Sequence, residues 1–319
     1  MATKKRPTQY KERLEKDHWR EGSTPGSRWS VVQHEKNIHR IIIENNDTRM
    51  NVSQWFLLSS DRHHDNAHTD QDLEIKHLKE CKKRNGIVLD FGDLFCAMQG
   101  KWDPRSDTSA LRPEHTEGHY LDRLVKTAAE FYQPYSNSFG LISRGNHETA
   151  ITKKHSHDLT EALTARLSAG GKVPVFNGGY TGWIIIGLYS GGSHFSLKMH
   201  YTHGLGAGGI MSHGTLATRR IASFISDADI MVSGHTHDSW LLTLASQRLI
   251  TANGVYRTRI VPVHHVKCGT YKDEYGTGYG GWHIETGKPP KILGAVWMRL
   301  KWDGEYENGG LSVEFTRAD

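Results

Sequence analysis

Five short clusters of aspartate, asparagine and histidine recur along the chain, and each follows an apolar run of strand length. The clusters are Asp61–Asp65, Asp90–Asp93, Arg144–Glu148, His203–Gly204 and Gly234–Asp238. In an open α/β sheet, the loops at the carboxyl ends of the strands border one crevice. We therefore expect clusters that lie far apart in sequence to meet at one site.

The pattern between the clusters predicts one layered domain of mixed α/β type. Helical periodicity covers Asp70–Arg84, Tyr120–Tyr132, Leu159–Leu167 and Thr215–Ile225. Strand-length runs cover Trp55–Ser60, Ile87–Leu89, Phe139–Ser143, Trp183–Leu188, Phe195–Thr202, Ile230–Ser233, Trp240–Leu244, Leu249–Thr251, Val261–Val266, Leu293–Leu300 and Ser312–Phe315. Strands that alternate with helices, followed by a strand-rich half, are typical of this class. We expect residues 1–49 to form a basic N-terminal arm and lead-in, and residues 50–319 to form the domain.

The composition narrows the functional classes. Three scattered cysteines give neither a disulfide framework nor a cysteine-based zinc finger. The longest apolar stretch, Trp183–Tyr189, is too short to span a bilayer, and the N-terminus lacks the apolar core of a signal peptide. We therefore expect a soluble, cytoplasmic protein without a membrane partner. Histidine, the commonest metal ligand, occurs 21 times among 319 residues.

The residue types in the clusters suit metal binding. Asp61 and His63 lie two apart on an extended segment, as do His235 and His237, so each pair can turn toward one ion. The other candidate ligands are Asp93, Asn146 and His203. Nitrogen and oxygen ligands without thiolate favour Mn²⁺, Fe, Zn²⁺, Ni²⁺ or Co²⁺ over Ca²⁺. These ligands are too many for one tetrahedral ion, but they fit two ions that share the carboxylate of Asp93.

The same residues resemble the calcineurin-like metallophosphoesterase superfamily. Its pattern D-x-H, G-D, G-N-H-[ED], H and G-H-x-H occurs here in order, between residues 55 and 240. The matching blocks are Asp61–His63, Gly92–Asp93, Gly145–Glu148, His203 and Gly234–His237. The resemblance implies a four-layer α/β/β/α sandwich with mixed sheets and two divalent transition metal ions. We expect manganese first, with iron, zinc, nickel and cobalt also compatible.

The resemblance also assigns roles. It implies that one ion is held by Asp61, His63, Asp93 and His237, and the other by Asp93, Asn146, His203 and His235. His147 is then the catalytic proton donor to the leaving group, since a protonated imidazole beside a metal ligand can neutralise a departing alkoxide. A hydroxide shared by the ions would attack the phosphorus in line.

Some assignments stay open at this stage. Arg62 and Arg144 are candidates for bidentate binding of the substrate phosphate. His200 competes with His203 for the fourth block, and we prefer His203 because a glycine follows it at the strand end. The segment Gly204–Gly209 matches the dinucleotide-binding pattern GxGxxG, but the helix that should begin at its last glycine is displaced.

Two local motifs favour different substrates. Gly92–Phe95 reads GDLF, which resembles double-strand-break repair nucleases, whereas Arg144–Glu148 reads RGNHE, which resembles protein serine/threonine phosphatases. Those phosphatases carry GDxVDRG where this chain has GDLFCAMQ, which leaves the partner that orients His147 unassigned. The glycine-rich loop after His203 resembles metallophosphoesterases encoded by bacteriophages, which implies the host cytoplasm as location.

The sequence favours a phosphodiester in a nucleotide or nucleic acid as substrate. The net charge of +5, the basic Lys4–Arg6 and the aromatic segment Tyr271–Trp282, which can stack on nucleobases, point this way. A phosphomonoesterase or a protein phosphatase-like activity is the first alternative. The second is a metal-stabilised binding protein without turnover. Oligomeric state has no signature in the sequence.

Overall fold

The computed structural model describes residues 18–45, 51–98, 110–115, 118–190, 193–206, 211–252, 254–276, 282–303 and 310–319. Within these ranges the chain forms fourteen β-strands and six α-helices. The strands are β1 (Arg20–Glu21), β2 (Ser27–Glu35), β3 (Ile38–Asn45), β4 (Val52–Ser59), β5 (Ile87–Asp90), β6 (Phe139–Ile142), β7 (Phe176–Asn177), β8 (Thr181–Ser190), β9 (Ser193–Thr202), β10 (Ile230–Ser233), β11 (Trp240–Ala252), β12 (Val255–Lys267), β13 (Val296–Asp303) and β14 (Gly310–Arg317). The helices are α1 (Gln71–Lys83), α2 (Tyr120–Tyr132), α3 (Asn146–His155), α4 (Leu159–Gly170), α5 (Thr215–Ala222) and α6 (Trp282–Glu285). Short 3₁₀ helices cover Pro113–His115 and Gln133–Ser138.

The strands form two mixed sheets. The smaller sheet has the order β14-β13-β4-β5-β6-β7, in which β4 to β7 are parallel. Its central strands β5 and β6 are buried along their whole length, as continuous apolar strands covered on both faces should be. The larger sheet has the order β1-β2-β3-β8-β9-β10-β12-β11, with β9, β10 and β12 mutually parallel.

Three apolar clusters define four layers. The main core lies between the sheets and joins residues such as Ile43 and Ile186 of the larger sheet to Phe56 and Met298 of the smaller one. A second core packs α1, α2 and α4 on the other face of the smaller sheet. A third, smaller cluster packs Ile221 of α5 on the outer face of the larger sheet. The predicted α/β/β/α sandwich with mixed sheets is therefore confirmed.

The helix signals in the sequence have the expected physical basis. The side chain of Asp70 accepts a hydrogen bond from the Leu73 N–H at 2.9 Å and so caps the start of α1. Lys82 and Lys83 lie in its last turn, where positive charge offsets the helix dipole. The bounds predicted for α2 and β10 match the structure to the residue.

The expected lead-in over residues 1–49 requires a correction. Residues 20–45 form β1, β2 and β3, which are one flank of the larger sheet. Trp29 and Ile41 lie in the main core with about 1% exposure each, so burial of these strands is part of the fold. The folded body thus begins well before residue 50. The basic Lys4–Arg6 lies outside the described residues.

Smaller differences concern helix α3 and the strands of the C-terminal half. No helix is predicted over Asn146–His155, where the structure has α3. The runs Trp240–Leu244 and Leu249–Thr251 form one continuous strand, β11, since the polar residues between them lie on an exposed ribbon. Among the described residues, no helix combines the length and apolar character needed to cross a bilayer.

Candidate metal centre

The loops after β4, β5, β6, β9 and β10 meet at one edge of the sandwich. Backbone hydrogen bonds join them directly: Asp61 N–H donates to the Gly92 carbonyl at 2.8 Å, and His63 N–H donates to the Asp93 carbonyl at 3.0 Å. On the other sheet, Gly234 N–H donates to the carbonyl of His203 at 2.8 Å. The predicted convergence of distant clusters therefore occurs, and it spans both sheets.

The first group of possible ligands consists of Asp61, His63 and His237. One ligand atom from each lies within 4.8 Å of the others. The Nε2 atom of His237 is 3.1 Å from Nε2 of His63 and 3.3 Å from Oδ1 of Asp61. Two imidazole nitrogens and a carboxylate oxygen therefore face one small space.

The second group consists of Asp93, His203 and His235, again within 4.8 Å. Nε2 of His203 lies 3.0 Å from Oδ2 of Asp93 and 3.1 Å from Oδ1 of Asn146. The structure thus brings together all seven predicted ligands. Asp93, which we expect to serve both ions, belongs to this second group by distance.

The donor atoms fit divalent cations. Oδ1 of Asp61 and Nδ1 of His63 are buried without a hydrogen-bond partner among the described residues. Burial alone would raise the pKa of Asp61, but His237 and the other nearby histidines hold that pKa far below its usual value. Burial and neighbouring histidines lower the pKa of His63. A carboxylate and a neutral imidazole are the forms that bind metal.

A charged pair dominates the second group. Burial would lower the pKa of His203, but the charge of Asp93 and the hydrogen bond between them raise it to about 9. The same interaction outweighs burial at Asp93 and lowers the pKa of its carboxyl. A cation bound there would compete with the proton on His203, so its binding should release that proton.

Backbone strain is concentrated at these residues. Five of the seven predicted ligands have positive φ without being glycine, a conformation that L-residues rarely adopt. The angles are 52° at Asp61, 46° at His63, 53° at Asp93, 75° at His235 and 58° at His237. Such strain persists only where the surroundings enforce it, and it typically marks functional sites.

Two motif glycines allow the close approach of these loops. A Cβ atom at Gly145 would lie 2.0 Å from Oδ1 of Asp93. A Cβ atom at Gly234 would lie 2.5 Å from Oδ2 of Asp61 and 1.9 Å from the hydroxyl of Ser60. A glycine therefore precedes Asn146 and His235 because a side chain would displace the acidic groups.

His147 lies at the edge of both groups, and its partner is a backbone carbonyl. Its Nδ1 lies 2.5 Å from the carbonyl oxygen of Cys96, which fixes the ring so that Nε2 faces the site. Nε2 is 3.7 Å from Oδ2 of Asp93. The carboxylate of Asp65 accepts hydrogen bonds from the N–H groups of Cys96 and Ala97, at 2.5 and 2.9 Å, and so holds the loop that carries this carbonyl.

Arg62 cannot bind the substrate phosphate, contrary to our expectation. Its side chain is fully buried, with ion pairs of 2.6 Å to Glu74 and 2.7 Å to Asp90. It also donates to the hydroxyl of Ser59 at 2.9 Å. The guanidinium therefore links β4, β5 and α1 beneath the site, and its complete burial keeps it away from a substrate.

Arg144 lies in a different setting. It pairs with Asp158 but remains partly exposed, at the wall of an open cleft of about 640 Å³ that begins at Asn146. The remaining lining residues are Thr149, Ala150, Lys153, Lys154 and Tyr180. The ring of Tyr180 lies 5.6 Å from that of His203, so the cleft is adjacent to the second group.

The structure also shows where the residues of the remaining alternatives lie. The ring of His200 packs on Trp183, with centroids 4.9 Å apart, whereas His203 enters the site. The GxGxxG segment Gly204–Gly209 lies only partly within the described residues. Tyr271 is fully buried against His77 and therefore cannot stack on a nucleobase. Residues 277–281 of the aromatic segment lie outside the described ranges.

Two carboxylates that are not among the predicted site residues support the ligands. Glu148 accepts from the N–H groups of Gly145 and Phe95, both at 2.8 Å, which ties the loops after β5 and β6 together. Burial and the charge of Asp93 raise its pKa to about 8. Glu274 lies 3.8 Å from Nδ1 of His237. Glu148 belongs to the GNHE motif and could have been found, whereas no pattern distinguishes Glu274.

No protein-family model and no curated protein matches the chain. Among solved structures, it is similar to Vps29 from Entamoeba histolytica, complexed with Zn²⁺, at 12% identity and a TM-score of 0.31, covering 83% of this chain and 100% of that one. It is also similar to GAP50, the anchor in the inner membrane complex of Plasmodium, at 12% identity and a TM-score of 0.43, covering 83% and 85%. Likeness at this level carries no argument about function, which rests instead on the side chains of the site.

Proposed function

We propose that this protein hydrolyses phosphodiesters, in nucleotides or nucleic acids, with a pair of divalent metal ions. The observation that carries the proposal is the direct link between the two ligand groups. The N–H of His235, from the second group, donates to Oδ2 of Asp61, from the first, at 2.8 Å. The other oxygen of Asp61 faces His237, so the two groups are held side by side.

The residues that would hold the ions follow from the two groups. Asp61, His63 and His237 would bind one ion, and Asn146, His203 and His235 the other, with Asp93 beside both. Nitrogen and oxygen ligands of this kind suit manganese, iron, zinc, cobalt or nickel. A pair of such ions, when bound, neutralises charge on a phosphoryl group and supplies hydroxide at neutral pH.

The role of His147 in this proposal is to hold and deliver a proton. The carbonyl of Cys96 accepts from Nδ1, so Nε2 is the atom directed toward the leaving oxygen of a substrate. In its charged form, the imidazolium is also attracted by Asp93, 3.7 Å away. A proton donor of this type typically contributes 10²- to 10⁴-fold to rate, and most where the leaving group is a poor one.

The cleft beside Asn146 supports an extended anionic substrate over a small monoester. Lys153 and Lys154 are exposed along its wall on α3, and Arg144 adds a third cation closer to the site. A strand with several phosphates could place one phosphate at the metal centre and the next against these side chains, since basic residues along a groove bind the phosphate backbone.

A substrate panel tests the proposal. We expect bis(p-nitrophenyl) phosphate and single-stranded DNA to be cleaved in the presence of Mn²⁺, and Asp61→Asn to abolish both activities. The exposed Asp122→Asn serves as the matched control and should retain full rate. Turnover of p-nitrophenyl phosphate alone would favour a phosphomonoesterase, phosphopeptide turnover would favour a protein phosphatase, and no turnover with any of the five metals would favour a binding protein.

A further inference from the structure

Strands β11 and β12 continue past their pairing with β10 as a two-stranded arm. They pair with each other over 13 residues each, from Trp240 with Lys267 to Ala252 with Val255. Strand β10, however, pairs with β12 only over His264–Lys267. Within the part of the chain that the structure describes, residues 245–252 and 254–262, which we call the arm, therefore have no neighbouring strand on the β12 side, and β11 is the last strand of its sheet.

The register divides the arm into two unlike faces. Residues paired across an antiparallel ladder lie on the same face, so odd-numbered residues of β11 share a face with even-numbered residues of β12. This inner face consists of Ala245, Gln247, Leu249, Thr251, Tyr256, Thr258, Ile260 and Pro262. It carries no charged side chain. The opposite, outer face carries Arg248, Arg257 and Arg259 together with Ile250, Val255 and Val261, so the two faces differ in charge.

The inner face is the exposed continuation of the main core. Val266, on the same face of β12, lies in the core between the sheets, and His264 packs on Phe315 of β14 with ring centroids 5.2 Å apart. Beyond that contact, Leu249, Tyr256 and Ile260 are 69%, 71% and 63% exposed. Large apolar side chains exposed together on a face without charge mark an interaction surface.

The free edge of β11 also lacks the usual protection against association. Monomeric proteins protect exposed edge strands with lysine, proline, bulges or short length. Strand β11 has 13 residues, contains neither lysine nor proline, and has Arg248 as its one charged residue. The charge of Arg248 is itself engaged, since its guanidinium pairs with Asp229 at 2.6 Å.

We propose that the inner face of the arm packs against the same face of a second copy of this chain, forming a two-fold symmetric dimer. A two-fold interface brings a surface against itself, so a charged residue near the axis would face its own copy. The inner face meets this condition because it is uncharged. A nucleic acid would instead require basic residues on this face, and these lie on the outer one.

The position of the arm makes dimerisation compatible with the proposed activity. Strand β12 runs parallel to β10, whose carboxyl end leads into His235 at the metal centre. The tip of the arm, near Val255, therefore projects from the opposite end of the sheet. The proposal does not depend on the proposed function, because it involves none of the residues placed at the metal centre.

Sedimentation velocity over 1–100 μM chain concentration tests this inference. We expect the wild-type protein to sediment at twice the chain mass of 36.0 kDa. The double variant Leu249→Glu/Ile260→Glu should sediment at 36.0 kDa, because it places like charges opposite one another on a surface that is otherwise uncharged. We expect its dissociation constant to rise by at least about 100-fold. Arg257→Glu, on the outer face of the same arm, should remain dimeric.

A milder double variant, Leu249→Ser/Ile260→Thr, controls for misfolding, since serine and threonine add no charge to the exposed strands. It should also become monomeric, with unchanged circular dichroism and unchanged activity per chain. A wild-type protein that stays at 36.0 kDa at 100 μM, or a double variant that remains dimeric, would overturn the proposal. Binding of the wild-type monomer to lipid vesicles through Leu249 and Ile260 would overturn it in favour of a membrane surface.

Discussion

The Nε2 atoms of His63 and His237 lie 3.1 Å apart, although 174 positions separate the two residues in the chain. One follows a strand of the smaller sheet and the other follows a strand of the larger sheet. Both backbones are held at positive φ, and Oδ1 of Asp61 faces the same space without a hydrogen-bond partner among the described residues. A buried carboxylate oxygen and two imidazole nitrogens at one point form a donor set that a cation would stabilise.

Metal content should therefore respond differently to substitutions in the two groups. We expect two ions per chain in the wild-type protein, one in His237→Ala, and none in Asp93→Ala, because Asp93 is expected to serve both ions. Elemental analysis after dialysis against Mn²⁺ or Zn²⁺ measures this directly, with Asp122→Ala as the exposed control. Two ions retained in Asp93→Ala would exclude the shared carboxylate.

Replacement of His147 should separate metal binding from proton transfer. His147→Asn should keep both ions, because the ring is not a member of either ligand group defined by Asp61 or Asp93. We expect kcat for an alkyl diester to fall by about 10²- to 10⁴-fold, and kcat for a p-nitrophenyl diester to fall much less. Equal losses on the two esters would remove His147 as the proton donor.

Asp65 should act as a positioning residue for His147. Its carboxylate holds the N–H groups of Cys96 and Ala97, and the carbonyl of Cys96 orients the imidazole. We expect Asp65→Ala to retain two ions and to lower kcat for alkyl diesters by about 10-fold, with a smaller effect on activated esters. A loss of metal in this variant would instead mean that Asp65 supports the fold of the ligand loops.

The ligand set could be predicted from sequence because the chemistry requires particular side chains at the ends of apolar strands. Asp61, Asp93, Asn146, His203 and His235 were found in this way, and the structure brings all of them together. The orienting group of His147 could not be predicted, since it is a backbone carbonyl, and any residue could stand at position 96. A pattern of side chains contains no information about such a contact.

Arg62 shows that a side chain predicted at the site can instead be part of the core. An arginine between two predicted ligands suggests phosphate binding, yet the side chain points away from the site and is wholly buried with Glu74 and Asp90. Its ion pairs with Glu74 of α1 and Asp90 of β5 hold the residue between Asp61 and His63 in the helix layer. Likewise, the charged residues around β2 and β3 favour a lead-in segment, although Trp29 of β2 is buried in the main core.

The buried pair of Arg62 and Glu74 should make stability depend on acid pH. Burial would raise the pKa of Glu74, but hydrogen bonding with His64 and the charge of Arg62 lower it to about 2, from an unfolded value of 4.5. A lowered folded-state pKa gives stability that is present above pH 4.5 and is lost as the pH falls toward 2. The loss should be on the order of 3 kcal/mol in the free energy of unfolding.

Urea denaturation at pH 7 and pH 3 measures this loss. Glu74→Gln should be destabilised at pH 7 by about 3 kcal/mol, because the Arg62 guanidinium is left with one carboxylate, and it should lose part of the difference between the two pH values. Glu114→Gln, exposed on a 3₁₀ helix, should behave as the wild type. An unchanged stability of Glu74→Gln at pH 7 would show that Asp90 alone compensates Arg62.

The lysines of the cleft should contribute to the binding of long substrates and not to the binding of short ones. Lys153 and Lys154 lie along the wall of the cleft that also contains Asn146. We expect Lys153→Gln/Lys154→Gln to raise KM for single-stranded DNA, with kcat and KM for bis(p-nitrophenyl) phosphate unchanged. The slope of log(kcat/KM) against log salt should decrease by about 1.4, since each phosphate contact contributes about 0.7 on a single strand.

Lys82→Gln/Lys83→Gln is the matched control for the cleft, because these lysines are also a neighbouring pair in the last turn of a helix. The two double variants lose the same net charge, so a general electrostatic effect would change the salt slope equally in both. A change confined to Lys153 and Lys154 would locate the second phosphate in the cleft. Equal slopes would instead assign the salt dependence to the overall charge of +5, and the preference for polymeric substrates would then require another explanation.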